Sequence, residues 1–277
     1  MIDNPNEVVI EKFKAITGIE KRRYIKDDQT VVDIAIEAAK KTILDAKLDQ
    51  ESIDYIIVAH NVGDITLNSN QVNTLPSLAS KVKAGLNIKS PDCVAYDILF
   101  GCPGWVEGVI QATAFIKAGM AKKCLVLGAD TLSRVLDHSD RDSMIYADGA
   151  GASMIEASKG KGGILSHKTV TYTSEGEADF IFYGPSNDKG KGTKYIKMHG
   201  RKVYEFALSK VPLALKKCLE TSGKSIDDVK KIFIHQANLK MDDAIVKRFY
   251  KLYGKAMPNN VLPMNIQEFG NSSVATV

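Results

Sequence analysis

Cys102 is the residue whose surroundings most clearly favour covalent chemistry. It follows an apolar, strand-like run and precedes an apolar helical pattern, and Gly101 and Gly104 lie on either side of it. The N-terminus of a helix presents unpaired N–H groups and partial positive charge, both of which favour the thiolate, the reactive form of cysteine. Glycines beside the sulfur would allow close approach of a substrate. A lone cysteine at a strand–helix junction is otherwise structural, so this interpretation depends on partners elsewhere.

Two polar segments further along the chain supply candidate partners. His235 ends an apolar run and begins the motif His-Gln-Ala-Asn, and Asn271 lies in the motif Gly-Asn-Ser-Ser. A neutral imidazole can accept a proton or donate a hydrogen bond to an oxyanion, and a side-chain amide can also donate. Taken alone, the histidine is equally consistent with a core residue, and the asparagine with a turn. Together with a distant cysteine, they predict an acyl-transfer site whose members meet only in the fold.

Composition excludes several other classes of function. The chain has 277 residues, 44% hydrophobic and 25% charged, enough for one large domain or two intimate ones. A net charge of +4 is too small to indicate nucleic-acid binding, and no apolar run approaches the roughly 20 residues of a membrane span. The four cysteines form no CxxC pair and no zinc-type cluster, and the N-terminus has no signal pattern. We therefore expect a cytoplasmic protein without a metal, a nucleic-acid partner or a membrane span.

Hydrophobic periodicity predicts helices alternating with strands. The predicted helices are 31–47, 70–84 (with a break or kink at Pro76), 103–118 and 203–219, and the predicted strands are 53–59, 93–100, 124–129, 152–155 and 231–235. This alternation favours a largely parallel sheet with right-handed crossovers. The buried face of helix 103–118 is predicted to contain Val106, Val109, Ile110, Thr113 and Ala114. The polar segment 174–194 predicts a long surface excursion, and Gly149–Gly151 a tight turn.

A local pattern of the chain occurs twice. Helix 31–47 leads through Ser-Ile-Asp to a strand, and helix 203–220 leads through Ser-Ile-Asp-Asp to the predicted strand 231–235. The repetition suggests a duplicated α/β core, with residues 1–158 carrying the nucleophile and 159–277 carrying the histidine and asparagine. Chance similarity of two helix–strand units is the alternative.

Six motifs in fixed order resemble the β-ketoacyl-acyl-carrier-protein synthase III family of thiolase-fold enzymes. They are Thr17–Ile19 with Arg22-Arg23, Asp97–Gly104, Asp140-Arg141 ahead of Asp148–Ala152, Met198–Ala207, His235–Asn238 and Gly270–Ser273. The resemblance spans nearly the whole chain. It implies a thiolase-like α/β fold, with a duplicated core, two mixed sheets and helices in layers.

The resemblance also implies a reaction and its residues. Cys102 would be the acylated nucleophile, and His235 and Asn271 would assist decarboxylation of a second thioester. The implied activity is decarboxylative Claisen condensation of an acyl thioester with malonyl-acyl-carrier protein, the first condensation of fatty-acid synthesis. The family resemblance further implies a homodimer and no cofactor.

Several basic residues are candidates for binding the substrates. Arg141 matches a family arginine at the entrance for coenzyme A, whereas Ile16 replaces a second family arginine. This replacement argues against coenzyme A binding and in favour of an acyl-carrier-protein donor, and both donors are kept as candidates. Lys240, Lys247, Arg248 and Lys251 follow the His235–Asn238 motif on a predicted helix, where they form either a solvated face or a docking surface for an acidic carrier protein. Asn238 is a further candidate for substrate or carrier binding.

The chain departs from the family pattern at its ends. It lacks the usual first strand before Thr17, and the family continues beyond Val277 with a Gly-rich loop that supplies a backbone N–H to the acyl oxyanion. We therefore expect truncation at both ends, with an incomplete C-terminal half. Two alternative functions follow: a specialised synthase of secondary metabolism with an unusual acyl donor, and a non-catalytic partner that only binds the carrier.

Overall fold

The computed structural model describes residues 5–69, 71–160, 162–190 and 192–277. These residues form two compact units that alternate along the chain. The sheet unit contains Arg23–Arg134, Ala147–Ile164 and Ser272–Val277, and the helical unit contains the chain up to Arg22, Val135–Tyr146 and Leu165–Asn271. The units therefore do not follow a single boundary at 158/159, and the division into two related halves stays a prediction.

A four-stranded mixed sheet is the centre of the sheet unit. Its strands are β1 (Tyr55–His60), β2 (Val94–Leu99), β3 (Lys123–Thr131) and β4 (Asp148–Glu156), in the order β2-β1-β3-β4. The first three are parallel, and β4 is antiparallel to β3. Every residue of β3 after Lys123 is buried, which is typical of a strand covered on both faces. The parallel arrangement brings the carboxyl ends of β1, β2 and β3 to one edge.

Helices cover both faces of this sheet. Helices α2 (Val31–Ala46) and α3 (Leu78–Gly85) bury apolar side chains against one set of strand residues, which includes Ile56 and Leu125. Helix α4 (Gly104–Lys117) packs against the alternate set, which includes Ile57 and Val126. The predicted helix at 70–84 is thus wrong over residues 71–77, because α3 begins only after Pro76, at the Ser77 cap, and its first position, 70, lies outside the described residues.

Two local predictions for the sheet unit are wrong. The Gly149–Gly151 segment does not turn; it lies within β4 and pairs with β3. The buried face of α4 is Gly104, Gly108 and Ala112, whereas Val106 is 41% exposed. A β-carbon at Gly108 would lie 2.7 Å from Val126 Cγ1, so the helix makes its closest approach to the sheet at small residues, while Val109 of the predicted face packs beside them only partly buried.

The helical unit contains four helices and one hairpin in its described residues. They are α1 (Asn6–Thr17), β5 (Ile181–Pro185), β6 (Lys194–Met198), α5 (Gly200–Thr221), α6 (Leu239–Lys251) and α7 (Ile266–Phe269). Helices α5 and α6 share an apolar cluster of Ala207, Leu208, Met241 and Ile245. The antiparallel β5–β6 hairpin lies partly in the predicted surface excursion, whose described residues are mostly exposed.

The predicted strand 231–235 does not form. This segment is extended, but no strand pairs with it in the part of the chain that the structure describes, and Ile232 N donates a single hydrogen bond to Val261 O (2.8 Å). The second sheet in these residues is consequently a two-stranded antiparallel hairpin and not a second mixed sheet. The helix of the repeated unit is present in both copies, but the strand is present only in the first.

Candidate active site

Cys102 lies at the junction between β2 and α4. Gly101 turns the chain with φ +82°, Pro103 occupies the N-cap position, and the Gly104 N–H donates to Gly101 O at 2.8 Å. Pro103 is therefore just outside the helix, and not in its first turn as the sequence suggested. The cysteine is half-buried and near the positive end of a 14-residue helix, as predicted.

The other three cysteines are less suited to reaction. Cys93 and Cys124 are buried among apolar residues, and burial raises the pKa of both thiols, that of Cys124 to about 11. Cys218 is half-buried in α5, and its Sγ lies 3.3 Å from the Ser166 hydroxyl. All four are free thiols. Of these, Cys102 has the most favourable position for a nucleophile.

Three polar residues near Cys102 were not singled out from the sequence. The Ser273 hydroxyl lies 3.4 Å from Cys102 Sγ, Asn61 Nδ2 lies 2.7 Å from that hydroxyl, and the amide also contacts buried Asp130. Asn61 directly follows β1 and Asp130 is near the end of β3. Their positions at the carboxyl ends of parallel strands, where ligands commonly bind, were the available signal.

His235 and Asn271 belong to the helical unit, whereas Cys102 belongs to the sheet unit. His235 is half-buried and precedes α6. Asn271 is buried, 4% exposed, and its N–H donates to Ile145 O at 3.2 Å. Gly270, with φ +69°, directs the chain from α7 into this position. The joint action of the three residues stays a prediction.

A buried carboxylate accompanies His235. Asp242 has no exposed surface, lies in the first part of α6, and donates its backbone N–H to Asn238 O at 2.9 Å. Burial raises the pKa of Asp242 to about 7, while the charge of His235 and the nearby N–H groups of Asn238 and Ala237 act in the opposite direction. No sequence signal pointed to this residue, because an aspartate on a helix with several lysines and an arginine has the pattern of a surface residue.

The predicted binding residues have different environments. Asn238 caps α6, with its Oδ1 accepting from the N–H groups of Lys240 (3.0 Å) and Met241 (3.2 Å). Lys240, Lys247 and Arg248 are exposed on α6. Lys247 pairs with Asp243 at 2.7 Å, and Arg248 Nη1 donates to Leu208 O at 3.1 Å.

Arg141 is the remaining predicted binding residue. Its side chain is 68% exposed and lies 3.7 Å from the Asp142 carboxylate in a short 3-10 helix. A substrate-binding role for this arginine, as for Asn238 and the basic residues of α6, stays a prediction.

The described residues lack two other kinds of site. They contain no group of three or more His, Cys, Asp or Glu side chains placed to hold a metal ion. Across the same residues, none of the helices combines the length and apolarity needed to cross a bilayer.

Comparison with known proteins gives the same family at three levels. The model of the family described as 3-oxoacyl-[acyl-carrier-protein (ACP)] synthase III matches residues 96–173. A β-ketoacyl-acyl-carrier-protein synthase III from Paracoccus denitrificans is 33% identical over 274 residues, covering 96% of this chain and 79% of the relative. One from Acholeplasma laidlawii is 36% identical over 266 residues, covering 94% of this chain and 76% of the relative. The chain belongs to the β-ketoacyl-acyl-carrier-protein synthase III family.

Solved structures support the fold of a synthase III. A crystal structure of 3-oxoacyl-acyl-carrier-protein synthase III from Aquifex aeolicus matches with a TM-score of 0.81 and 31% identity, covering 96% of this chain and 78% of that one. The enzyme from Thermus thermophilus gives a TM-score of 0.81 and 29% identity, covering 100% and 80%. The predicted family and its thiolase-like α/β fold class are confirmed.

Proposed function

We propose that this synthase III condenses an acyl thioester with malonyl-acyl-carrier protein by decarboxylative Claisen chemistry, the initiating step of fatty-acid synthesis. The observation that carries the proposal is the position of Cys102 at the N-terminus of α4, beside the Ser273 hydroxyl, in a chain of this family. The proposed catalytic set is Cys102, His235 and Asn271.

In the first half-reaction, Cys102 accepts the acyl group. Its thiolate attacks the thioester carbonyl, the carbon–sulfur bond of the donor breaks, and the donor thiolate leaves and takes up a proton. One thioester replaces another, so the step needs no external energy source. The positive end of α4 favours the attacking thiolate over the neutral thiol.

In the second half-reaction, His235 and Asn271 stabilise an enolate. Malonyl thioester loses CO2, the electrons of the broken bond move onto the thioester oxygen, and two neutral donors can bind that oxygen. The enolate carbon then attacks the acyl-Cys102 carbonyl, forming a carbon–carbon bond and releasing the thiolate. One such donor typically contributes about 2.7–4 kcal/mol to the transition state.

The substrates are proposed to arrive at basic residues. Arg141, whose exposed side chain lies 3.7 Å from the Asp142 carboxylate, suits the phosphates of coenzyme A or of a carrier prosthetic group. The exposed Lys240, Lys247 and Arg248 on α6 suit the acidic surface of a carrier protein. Asn238 would contribute indirectly, by capping that helix.

We also propose a homodimer in the cytoplasm. Strand β2 pairs with β1 alone in the described sheet, and its end residues Val94 and Leu99 are 45% and 73% exposed. An open apolar edge favours pairing with another strand, and a second copy of β2 would cover it. Four free thiols in the structure suit a reducing compartment.

Intact-protein mass spectrometry tests the proposal. With acyl-coenzyme A or acyl-carrier protein, the wild-type protein should gain one acyl mass, and the Cys102→Ala variant none. Adding malonyl-carrier protein should discharge the label and release CO2 and a β-ketoacyl product. A protein that binds the carrier but never acquires the label would be the non-catalytic partner, and the proposal would be wrong. Activity confined to an unusual acyl donor would identify a specialised synthase.

A further inference from the structure

A continuous series of hydrogen bonds leads from a buried carboxylate to the sulfur of Cys102. Asp130, 1% exposed, accepts from the Asn61 backbone N–H (2.8 Å) and from Asn61 Nδ2 (2.6 Å). Asn61 Nδ2 also lies 2.7 Å from Ser273 Oγ, which in turn lies 3.4 Å from Cys102 Sγ. All four residues belong to the sheet unit.

The charge of Asp130 fixes the orientation of the Asn61 amide. A carboxylate can only accept hydrogen bonds, so the atom of the amide facing it must be the NH2 group and not the oxygen. The amide oxygen then points towards Gly101, where it would lie 3.2 Å from an added β-carbon. Because the NH2 group has two hydrogens, it can donate to Asp130 and to Ser273 at once.

The Asn61 amide in turn fixes the direction of the Ser273 hydroxyl. Since Ser273 Oγ accepts from Asn61 Nδ2, the single hydroxyl proton is free to point to Cys102 Sγ. The series therefore diverges from the Asn61 NH2 group, which donates to Asp130 on one side and to Ser273 on the other, and Ser273 donates onward to Cys102. A hydroxyl donor at this distance favours a negatively charged sulfur over a neutral thiol.

The backbone holds Ser273 in this position. Ser273 has φ +55°, a left-handed conformation that side-chain-bearing residues rarely adopt, and it is 2% exposed. The next residue, Val274, donates its backbone N–H to Asp130 and packs beside Gly104 of α4. Asp130 therefore binds both the amide and the segment that carries the hydroxyl.

The geometry points to a role for Asp130, Asn61 and Ser273 as positioning residues that hold a hydroxyl proton on Cys102 Sγ and stabilise its thiolate. The inference rests on the proposed function only in that Cys102 is the nucleophile. It assigns these three residues no contact with the substrate. A lower pKa of the Cys102 thiol would increase the fraction of enzyme that carries a thiolate at neutral pH and can accept an acyl group.

The other ionisable groups beside this series form a separate pair. His60 Nδ1 accepts from the Gly63 N–H at 3.0 Å, so Nε2 carries the proton and faces Asp97 Oδ2 at 3.2 Å. Asp97 also accepts from the N–H groups of Leu78 and Ala79, both at 2.8 Å. His60 and Asp97 are left unchanged in the test, so that this pair contributes equally in every variant.

The test measures the pKa of Cys102 directly, without acyl substrates. The rate of its alkylation by iodoacetamide is followed against pH, with peptide mass spectrometry to separate Cys102 from the other cysteines and Cys102→Ser as the blank. Ser273→Ala should raise the pKa of Cys102 by about one unit and slow alkylation at pH 7 about tenfold. Ser273→Gly should raise the pKa of Cys102 equally. Glycine adopts φ +55° without strain, so this variant removes the hydroxyl with less risk that the protein fails to fold.

Asp130→Asn tests whether the carboxylate acts through the series. It should raise the pKa of Cys102 in the wild-type background and add nothing in the Ser273→Ala background, because the two changes break one series. Thr131→Val and Thr276→Val are matched controls, since Thr131 is the buried neighbour of Asp130 and Thr276 bonds to the Ser273 carbonyl at 2.8 Å. Both should leave the pKa unchanged.

Two outcomes would overturn the inference. If the pKa of Cys102 is unchanged in both Ser273 variants, the Ser273 hydroxyl does not stabilise the thiolate. If Thr276→Val shifts the pKa of Cys102 as much as Ser273→Ala does, the effect comes from general loosening of residues 272–277. Failure of the proposed function looks different: the alkylation results would stand, while acylation or condensation with malonyl-carrier protein would be absent from the wild-type protein.

Discussion

The α-carbon of Gly128 lies against the main chain of Val274. A β-carbon added at Gly128 would lie 2.2 Å from the Val274 carbonyl oxygen and 2.8 Å from its carbonyl carbon. Gly128 is in the buried part of β3, and Val274 follows the serine that contacts Cys102. The glycine therefore decides how closely residues 272–277 can approach the sheet, and with them the Ser273 hydroxyl.

Gly128→Ala should displace this segment and destabilise the protein. The clash is with backbone, which cannot rotate away, so we expect a loss of about 1–3 kcal/mol in the free energy of unfolding and slower alkylation of Cys102. Urea unfolding and iodoacetamide kinetics measure the two effects. Gly151→Ala is the matched control, because Gly151 pairs with Gly128 across the strands and has nothing within 4 Å of an added β-carbon. If Gly128→Ala and Gly151→Ala have the same free energy of unfolding and the same rate of Cys102 alkylation, the close approach of Val274 to Gly128 affects neither.

His235→Ala and Asn271→Ala should separate the two half-reactions. Loss of one oxyanion donor is expected to slow malonyl decarboxylation by about 10²–10³-fold in each variant, while acylation of Cys102 is retained. Release of ¹⁴CO2 from labelled malonyl-carrier protein and the acyl mass on the enzyme give the two readouts. The exposed His138 and Asn265, changed to alanine, serve as matched controls. If both catalytic variants lose acylation while remaining folded, the division of roles is wrong.

The free energy of unfolding should fall as pH rises, because the buried Asp242 carboxyl group is harder to ionise in the folded state. Burial raises its folded-state pKa to about 7, so between its ordinary pKa and that value the folded state retains a proton that the unfolded state has lost. Asp242→Asn removes this penalty and should stabilise the protein on the order of 2–4 kcal/mol at pH 8, with a smaller difference at pH 5.

Thermal unfolding from pH 5 to pH 8 measures this effect. The neighbouring Asp243, whose carboxylate is 39% exposed and pairs with Lys247, gives the control Asp243→Asn, for which little change with pH is expected. A stability difference for Asp242→Asn that does not grow with pH would contradict the assignment of a buried, hard-to-ionise carboxylate.

The ion pair between Asp137 and Lys197 should stabilise the protein at neutral pH and lose that effect in acid. This pH dependence is the reverse of the one expected for Asp242. Lys197 Nζ lies 2.6 Å from Asp137 and 2.8 Å from Asp140, and the Asn187 N–H donates to Asp137 at 2.8 Å. Burial alone would raise the pKa of Asp137, but the hydrogen bonds from Lys197 and Asn187 outweigh it and hold that pKa well below its usual range. This stability is complete above the ordinary aspartate pKa and is lost as pH falls below it.

Asp137→Asn should therefore cost about 3 kcal/mol at pH 7, because Lys197 keeps only Asp140 as a buried partner. The difference from the wild-type protein should shrink in acid below about pH 4, as measured by urea unfolding at several pH values. Asp142→Asn, in the same segment but with its side chain 50% exposed, should have little effect. A constant difference down to pH 2 would contradict the ionic origin of the stability.

Lys240→Glu with Lys247→Glu should weaken use of the carrier protein. Both side chains are exposed on α6, so reversing their charge should raise the KM for malonyl-carrier protein several-fold at low salt, with little change for malonyl-coenzyme A. The matched control is Lys12→Glu with Lys40→Glu. These two lysines are exposed outside α6, so their reversal changes the net charge by the same amount. The same increase in KM for both pairs would mean that overall charge and not this surface matters.

Local patterns in the sequence determined the elements around Cys102. The apolar runs at 94–99 and 123–131 and the amphipathic pattern at 31–46 form the predicted strands and helix, because their burial depends on near neighbours in the chain. The glycines, proline and helix beside Cys102 likewise gave its position at a helix N-terminus. The family followed from the order of motifs, since each motif keeps a recognisable local form.

Tertiary packing decided the features that depend on distant residues. The segment 231–235 has the apolar pattern of a strand but remains unpaired, because pairing requires a partner strand that periodicity cannot specify. Helix α4 places its small residues at the closest approach to β1 and β3 and keeps its large apolar residues only partly buried beside them. Ser273 reaches Cys102 across 171 positions in the chain, and the burial of Asp130 and Asp242 depends on neighbours from other elements. No local pattern encodes such contacts, because they exist only when the chain has folded.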